Sequence, residues 1–324
     1  MPSFGDLNRV NTNIQSLDSQ FSLNRINSDI AENQLKMSTG KRINRAEDDS
    51  AGYSIATKLR SRVGGLNQAM QNVGDAKSVL DIAEASYSTV MDSLVEMKSL
   101  ATQAANDSLG DTERDFIGDQ IEALGKDINE VSNQTVYQDY ELLNGSQNSN
   151  GTGTNSGSLS LEFQVGERKS DTISTDVNAV NVGELFASGG DQDLGATTTN
   201  GGAQAGGTAI QASQATAGSQ GALTFDDGAS SSDYREFISA VDSAINTMSE
   251  NVNSIGITQS SLSVREETLS QSISANESAK SRIMDTDFAK AQSESVRLQI
   301  LQQTATSALA QANNGPQSVL GFIG

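Results

Sequence analysis

The chain has 324 residues, of which 35% are hydrophobic and only 4% aromatic, and it contains no Trp, Cys or His. The absence of His and Cys excludes a Ser-His or Cys-His nucleophile and any metal site built from His or Cys ligands. The net charge of −20 at pH 7 argues against binding nucleic acid or an anionic membrane through a basic surface.

The acidic charge is concentrated in the middle of the chain. Residues 1–65 carry nine basic and seven acidic side chains, whereas residues 66–235 carry seven basic and 25 acidic ones. No stretch reaches the roughly 20 consecutive apolar residues that a membrane helix needs. The first residues lack the basic stretch and apolar run of a secretory signal. The sequence therefore predicts neither a membrane span nor a cleaved secretory signal.

The first 40 residues predict an amphipathic helix with two successive apolar frames. The only prolines, Pro2 and Pro316, lie at the extremities, so no proline interrupts the helices between them. Apolar residues at 3-4 spacing indicate a helix. The first frame consists of Leu7, Val10, Ile14, Leu17 and Phe21, and the second of Leu23, Ile26, Ile30 and Met37. The change of frame predicts a stutter-like break in the repeat.

The clearest helical signal extends from residue 66 to residue 104. Twelve successive positions at 3-4 spacing are apolar: Leu66, Ala69, Val73, Ala76, Leu80, Ala83, Tyr87, Val90, Leu94, Met97, Ala101 and Ala104. At about 1.5 Å per residue, this helix is on the order of 58 Å long. Such a rod must lie along partner helices. A shorter run of the same kind covers residues 117–131.

The composition changes near residue 145. From Gly145 to about Ser232 the chain is rich in Gly, Ser, Thr, Asn and Ala, with short alternating apolar runs at 159–165 and 223–225. Alternation with a period of two predicts strands. We therefore predict a small, mostly β domain in this region.

Helical spacing returns after this region and continues towards the C-terminus. The repeat runs through Ile238, Val241, Ile245, Met248, Val252, Ile255, Gln259 and Leu262, and onward to Ile283. A last amphipathic helix ends near the Asn-Gly-Pro sequence at 314–316, a typical helix-end signal. The predicted fold class is therefore mainly α. Long antiparallel coiled-coil helices are formed by the N- and C-terminal parts, with a small β-rich insert domain.

Several stretches resemble motifs of bacterial flagellins, in the family's order. They read VNTN at 10–13, STGKRINRAEDDSAG at 38–52, LATQAAN at 100–106, SRIMDTDFA at 281–289, QILQQ at 299–303 and LAQAN at 309–313. The likeness covers about 1–145 and 235–324, and the segment between has no family pattern to match. The sequence is thus identified as resembling a flagellin.

This resemblance implies a non-enzymatic structural subunit, without cofactors, that polymerises into the bacterial flagellar filament used for motility. It implies terminal helices that pair as an inner coiled coil around a channel. It also implies export of the unfolded chain through the flagellar type III apparatus to an extracellular filament. The implied partners are other copies of the chain, an export chaperone bound to the C-terminal helix, a filament cap protein and hook-filament junction proteins. No partner nucleic acid or membrane is expected.

The resemblance also divides the chain into five predicted parts. They are an N-terminal core helix (1–40), the N-terminal part of a helical shell (41–145), a variable, surface-exposed β-rich insert (146–234), the C-terminal part of the shell (235–285) and a C-terminal core helix (286–324). Each terminal helix carries only a thin apolar strip, and isolated strips of this kind are marginal as helices. We therefore expect the ends to need each other and copies from other subunits.

Three groups of site residues follow from this interpretation. The expected self-assembly core consists of Leu7, Val10, Ile14, Leu17, Phe21, Ile26, Ile30, Leu298, Leu301, Ala305 and Ala308. Candidates for contacts between subunits are Arg42, Arg45, Asp48 and Asp49, although both arginines could instead pair with the neighbouring acids. The family's innate-immune receptor patch corresponds to Leu94, Glu96, Leu100 and Gln120. Glu96 stands where the family has Arg, and Gln120 stands where it has Glu.

Two other functions remain open at this point. A hook-filament junction-type adaptor of the same apparatus shares flagellin-like end helices, although the C-terminal motif through Ala312 and Asn313 favours the filament subunit. A filament protein with an adhesive insert is also compatible with the sequence. A zinc-protease insert is excluded because a chain without His cannot form the zinc-binding motif.

Overall fold

The computed structural model describes residues 13–138, 140–145, 157–187, 192–194, 210–213, 220–226 and 228–320. Its helices are α1 (Ile14–Thr39), α2 (Ser50–Ala104), α3 (Asp111–Gln134), α4 (Val182–Phe186), α5 (Ser231–Met284) and α6 (Phe288–Leu320). Its strands are β1 (Val136–Tyr137), β2 (Tyr140–Glu141), β3 (Ser158–Gln164), β4 (Thr172–Asn178), β5 (Gln192–Asp193), β6 (Ile210–Ala212) and β7 (Leu223–Phe225). The predicted fold class, long helices with a small β-rich part, is confirmed.

The chain divides into two compact units. Residues 1–64 and 272–324 form the terminal unit, and residues 65–271 form the central unit. In the terminal unit, α1 and α6 pack side by side in antiparallel directions. The Asn13 side-chain amide donates to the Ala312 carbonyl at 2.7 Å, and the Asn33 amide donates to the Ala291 carbonyl at 2.9 Å. The start of α1 therefore lies beside the end of α6.

A short backbone junction closes this pair where α1 ends. Gly40 stops the helix in the left-handed conformation, with φ of 69°, which costs glycine little because it has no Cβ. The Thr286 amide donates to the Gly40 carbonyl at 2.9 Å, and the Arg42 amide donates to the Met284 carbonyl at 2.6 Å. These bonds fix the turn after α1 to the turn before α6.

In the central unit, α2 and α5 run antiparallel beside α3. All twelve residues of the predicted α2 repeat are buried, none more than 8% exposed, so this prediction is confirmed. Lys77 pairs with Glu266 at 2.6 Å and Lys98 pairs with Asp242 at 2.5 Å. Both pairs bridge α2 and α5 at the edges of the buried stripe and fix their opposite directions.

The buried face of α5 differs in part from the predicted one. Val241, Met248, Ile255 and Leu262 are buried as expected, but the positions between them are filled by Ala244, Asn251 and Thr258 rather than by Ile245, Val252 and Gln259. The reason is that β4 packs on this side of α5. Asn251 accepts a hydrogen bond from the Asn178 side chain at 2.6 Å, and the Thr258 hydroxyl bonds that of Thr175 at 3.2 Å.

The strands form three small antiparallel sheets, ordered β1-β2, β3-β4 and β5-β6-β7. They share the core of the central unit with its helices. Two glycines of α3 allow β7 to lie against that helix. A Cβ added to Gly118 would stand 3.1 Å from the Phe225 Cβ, and one added to Gly125 would stand 3.3 Å from a Leu223 methyl. The described strands therefore contribute to the same packing unit as the long helices, and the five domain ranges stay predictions.

Candidate self-assembly surface

Helix α1 carries two apolar faces. Leu17 and Ile26, like Phe21 and Ile30, are nine residues apart, which is about two and a half turns and so half a turn around the helix. Ile26 and Ile30 are half-buried beside α6. Leu17 is 58% exposed and Phe21 is 71% exposed. The predicted break in the repeat is therefore a change of face within one continuous helix.

Helix α6 repeats this arrangement. Leu298 is only 4% exposed, and Ala291 and Ala312 are also buried, so these residues form the face that packs on α1. On the other side, Val296 and Ile300 are exposed, Ile300 by 58%. We use the name outward face for five exposed apolar residues that point away from the partner helix: Ile14, Leu17 and Phe21 on the side of α1 turned away from α6, and Val296 and Ile300 on the side of α6 turned away from α1.

The predicted core residues divide between these two environments. Ile26, Ile30, Leu298 and Ala305 lie on the inner side of the pair, whereas Ile14, Leu17, Phe21, Leu301 and Ala308 are exposed. Leu7 and Val10 lie outside the described residues. Sequence reasoning missed Val296 and Ile300 as core candidates. The sequence signal for these two residues is a spacing of nine residues, which is half a turn around the helix. Ile300 therefore lies opposite Ala291, and Val296 lies opposite Ala305.

The basic candidates after α1 make local contacts. The Arg42 guanidinium donates to the Ile283 carbonyl at 2.7 Å, which reinforces the backbone junction. Arg45 is exposed and pairs with Glu47 at 2.9 Å. The hydrogen bond to Glu47 and its negative charge raise the pKa of Arg45. A role for either arginine in subunit contacts stays a prediction.

The two acidic candidates organise the turn into α2. The Asp48 carboxylate accepts backbone hydrogen bonds from Asn44 at 2.8 Å and Arg45 at 2.9 Å, and these bonds lower its pKa. Asp49 accepts from the Gly52 amide at 2.9 Å. A Cβ on Gly52 would stand 2.4 Å from the Asp49 carboxylate. The three-residue spacing between Asp49 and Gly52 thus lets the carboxylate cap the first turn of α2.

The receptor-patch equivalents are not all on the surface of the subunit. Glu96 and Gln120 are exposed and Leu100 is half-buried. Leu94 is fully buried in the central unit, so its side chain is not presented to solvent. The correspondence of these four residues to the family's receptor patch stays a prediction.

The described residues contain neither a membrane-spanning helix nor a metal-binding cluster. None of their helices combines the length and the apolarity of a membrane span. Nowhere among them do three or more His, Cys, Asp or Glu side chains gather in a group that could hold a metal ion.

Comparison with known proteins decides which family has this arrangement. The model of the bacterial flagellin N-terminal helical region matches residues 10–148, and that of the C-terminal helical region matches residues 238–323. The flagellin of Bacillus subtilis is 33% identical over 317 residues, which cover 97% of this chain and 99% of the relative. The chain belongs to the bacterial flagellin family.

A second relative agrees with this assignment, and one solved structure shares the fold. The flagellar filament 41 kDa core protein of Borreliella burgdorferi is 28% identical to this flagellin, covering 91% of this chain and 93% of the relative. A solved structure described as a flagellar hook-associated protein from Vibrio parahaemolyticus has the same fold. Its TM-score is 0.52 at 15% identity, and the match covers 74% of this chain and 100% of that one.

The flagellin is therefore a structural subunit that polymerises into the bacterial flagellar filament used for motility. The predicted family and function are confirmed. Neither the junction-adaptor nor the adhesive-insert alternative is favoured by these relatives. Flagellins form the extracellular filament.

Proposed function

We propose that the outward face of the α1–α6 pair is the surface through which copies of this flagellin bind one another in the filament. The observation that carries the proposal is the exposure of Leu17 and Phe21 on a helix whose opposite face is already covered by α6. Fully burying a side chain of this size contributes about 1.5–3 kcal/mol. The gain recurs in every subunit, so a few such residues suffice to drive polymerisation.

The charge distribution supports the same division of roles. Residues 1–65 are nearly neutral, with nine basic and seven acidic side chains, whereas residues 66–235 carry 25 acidic and seven basic ones. Like charges repel at close distance, so the neutral segment suits a crowded filament interior and the acidic segment suits the solvent-facing layers. Salt screens such repulsion beyond about 10 Å at 0.1 M ionic strength. Polymerisation is therefore expected to be easier at higher salt.

We propose one partner for the outward side of α6 before assembly. The outward side of α6, with Val296 and Ile300 exposed, offers an apolar helix face for an export chaperone to cover before assembly. A cap protein and hook-filament junction proteins are proposed to bind at the two ends of the growing filament. The chain is proposed to act there without enzymatic activity or a cofactor, after export to the cell exterior.

The experiment compares Leu17→Asp with Gln20→Asp. Both variants add one carboxylate to the same region of α1, and both native side chains are exposed in the single subunit. Burying an unpaired carboxylate in an apolar interface costs several kcal/mol, so Leu17→Asp should abolish filaments. Gln20→Asp should polymerise because Gln20 is already polar and lies at the edge of the outward face, where a carboxylate keeps its contact with water. Sedimentation and electron microscopy after salt-induced polymerisation report the outcome, and normal Leu17→Asp filaments would refute the proposal.

A further inference from the structure

Both faces of helix α1 are apolar enough to pack on α6. Leu23, Ile26 and Ile30 stand on the side that packs on α6, while Leu17 and Phe21 stand on the opposite side. Hydrophobic burial is non-directional and scales with the apolar area removed from water. Since Leu17 and Phe21 are as apolar as their counterparts, burial alone does not decide which face packs within the chain. Some other interaction has to make that choice.

Two asparagines distinguish the inner face from the outward face. Asn33 is 8% exposed, and its side-chain amide donates to the Ala291 carbonyl of α6 at 2.9 Å. Asn13 does the same at the opposite end of α1, where its amide donates to the Ala312 carbonyl at 2.7 Å. Both side chains therefore bind the backbone of α6, not its side chains.

Such bonds are sensitive to the rotation of the helix. A hydrogen bond requires its donor within about 3.2 Å of the acceptor and in line with it, whereas apolar contacts tolerate many arrangements. Turning α1 by half a turn would carry Asn33 away from α6 and break the bond to Ala291. A polar residue in a helix–helix seam can specify one arrangement in this way.

We propose that Asn33, together with Asn13, selects the face of α1 that packs on α6 and so keeps the outward face free for other subunits. Both are positioning residues, since neither belongs to the outward face itself. The inference rests on the proposed role of that face. Without the asparagines, α6 of the same chain would compete with other subunits for Leu17 and Phe21, and assembly would be weakened.

Crosslinking of introduced cysteine pairs with a short bismaleimide tests which face of α1 meets α6, because two amide side chains in contact hold their Cβ atoms farther apart than a direct disulfide spans. The chain has no cysteine, so only introduced thiols react. Asn27 and Gln302 are bonded through their side chains at 2.8 Å, and the pair Asn27→Cys with Gln302→Cys reports the native face. Ser28 is exposed and lies seven residues after Phe21, on the outward side. The pair Ser28→Cys with Gln302→Cys reports the rotated helix.

Each cysteine pair is placed in the full chain, with and without Asn13→Ser and Asn33→Ala. Ser at position 13 retains a capping oxygen for the Ser16 amide, which Asn13 caps at 3.0 Å, but it removes the amide donor. Gln20→Ala with Gln34→Ala, two exposed residues of α1, is the matched control. Treatment with the bismaleimide under polymerising conditions, followed by denaturing gels, separates crosslinks within a chain from crosslinks between chains.

In the asparagine variant we expect the Ser28 crosslink within the chain to rise several-fold at the expense of the Asn27 crosslink, together with a lower yield of filaments. The control should match the unsubstituted chain. An undiminished Asn27 crosslink would overturn the inference. A loss of that crosslink with no gain at Ser28 would also overturn it, because the asparagines would then only stabilise the pair. Either result would leave the Leu17→Asp test of the outward face unaffected.

Discussion

Leu17 and Ile26 lie on opposite sides of α1, nine residues apart, and only Ile26 is covered by α6. Leu17 remains 58% exposed. In a chain that belongs to a filament-forming family, this relationship assigns the two faces to different partners. The inner face joins the two ends of one chain, and the outward face is proposed to join separate chains.

The segment between β5 and β6 is expected to matter less for the fold than the β3-β4 hairpin. The Leu194 amide donates to the Ile210 carbonyl at 3.0 Å, so the two ends of segment 195–209 are already adjacent. Replacing this segment with a short Gly/Ser linker should preserve the fold and polymerisation, since closure entropy changes slowly with loop length. Circular dichroism and electron microscopy should show an unchanged melting transition and normal filaments.

The control replaces β3 and β4, residues 158–178, with the same linker. This removes the buried Val165 and Val177 from the core and the hydrogen bond from the Tyr87 hydroxyl to the Asn178 carbonyl at 2.7 Å. It should lower the melting temperature and broaden the transition. Equal behaviour of the two replacements would show that the hairpin does not belong to the core.

Arg114 joins the end of α2 to the start of α3. Its guanidinium donates to the Ala104 carbonyl at 3.2 Å and the Asn106 carbonyl at 3.3 Å, and it pairs with Asp111 at 3.0 Å. Arg114→Ala leaves the buried Ala104 carbonyl without this donor, which should lower the free energy of unfolding by about 1–3 kcal/mol. Urea unfolding measures the change.

The matched control is Lys126→Ala, which removes an exposed pair with Glu122 on the same helix. Pairs of this kind contribute little, so the control should unfold like the unsubstituted chain. If both variants lost equal stability, the buried position of Arg114 would have no special importance.

A comparison of Gly118→Ala with Gly256→Ala tests the close approach of β7 to α3. Both glycines lie in helices, where Ala is favoured over Gly by roughly 1 kcal/mol. A Cβ on Gly118 would meet the Tyr234 hydroxyl at 3.0 Å and the Phe225 Cβ at 3.1 Å, whereas one on Gly256 meets nothing within 4 Å. Gly256→Ala should therefore raise the melting temperature and Gly118→Ala should lower it. A similar rise in both variants would contradict the described packing.

Two buried tyrosines predict a loss of stability at high pH. Burial raises the pKa of Tyr234 to about 12 and raises that of Tyr87 as well, compared with about 10 in an unfolded chain. The folded state therefore favours the protonated phenols. Their contribution is complete below pH 10 and is lost as the pH rises from about 10 towards 12. Urea midpoints should fall over this range, and less steeply in Tyr87→Phe with Tyr234→Phe, whose side chains do not titrate. Parallel curves would exclude the tyrosines as the cause.

The regular parts of the fold were predictable from the sequence because apolar spacing reports directly on buried helix faces. All twelve residues named for α2 are buried. On α5 the same reasoning favoured Ile245 and Val252 because they are apolar, yet Ala244 and Asn251 are the buried neighbours. Contacts with β4 determine this choice, and no local pattern reveals which strand will cover a helix.

Only the α1 part of the outward face, Ile14, Leu17 and Phe21, was predictable from the sequence, and its geometry was not. Spacing identified both apolar frames of α1, but it could not tell which frame faces α6. That depends on the bonds of Asn13 and Asn33 to backbone carbonyls 299 and 258 residues away. Arg114 was also missed, since a charged residue that caps a neighbouring helix has no signature in sequence spacing.

Thiol accessibility at position 21 shows directly whether assembly covers the outward face of α1. In Phe21→Cys the only thiol of the chain stands on the outward face, and Gln20→Cys places one on an exposed polar position beside it. Both should react with a maleimide in the single subunit. In assembled filaments we predict that Cys at 21 is protected while Cys at 20 still reacts, because assembly buries the outward face. Equal labelling of position 21 before and after assembly would show that the outward face of α1 stays exposed in the filament and does not join subunits.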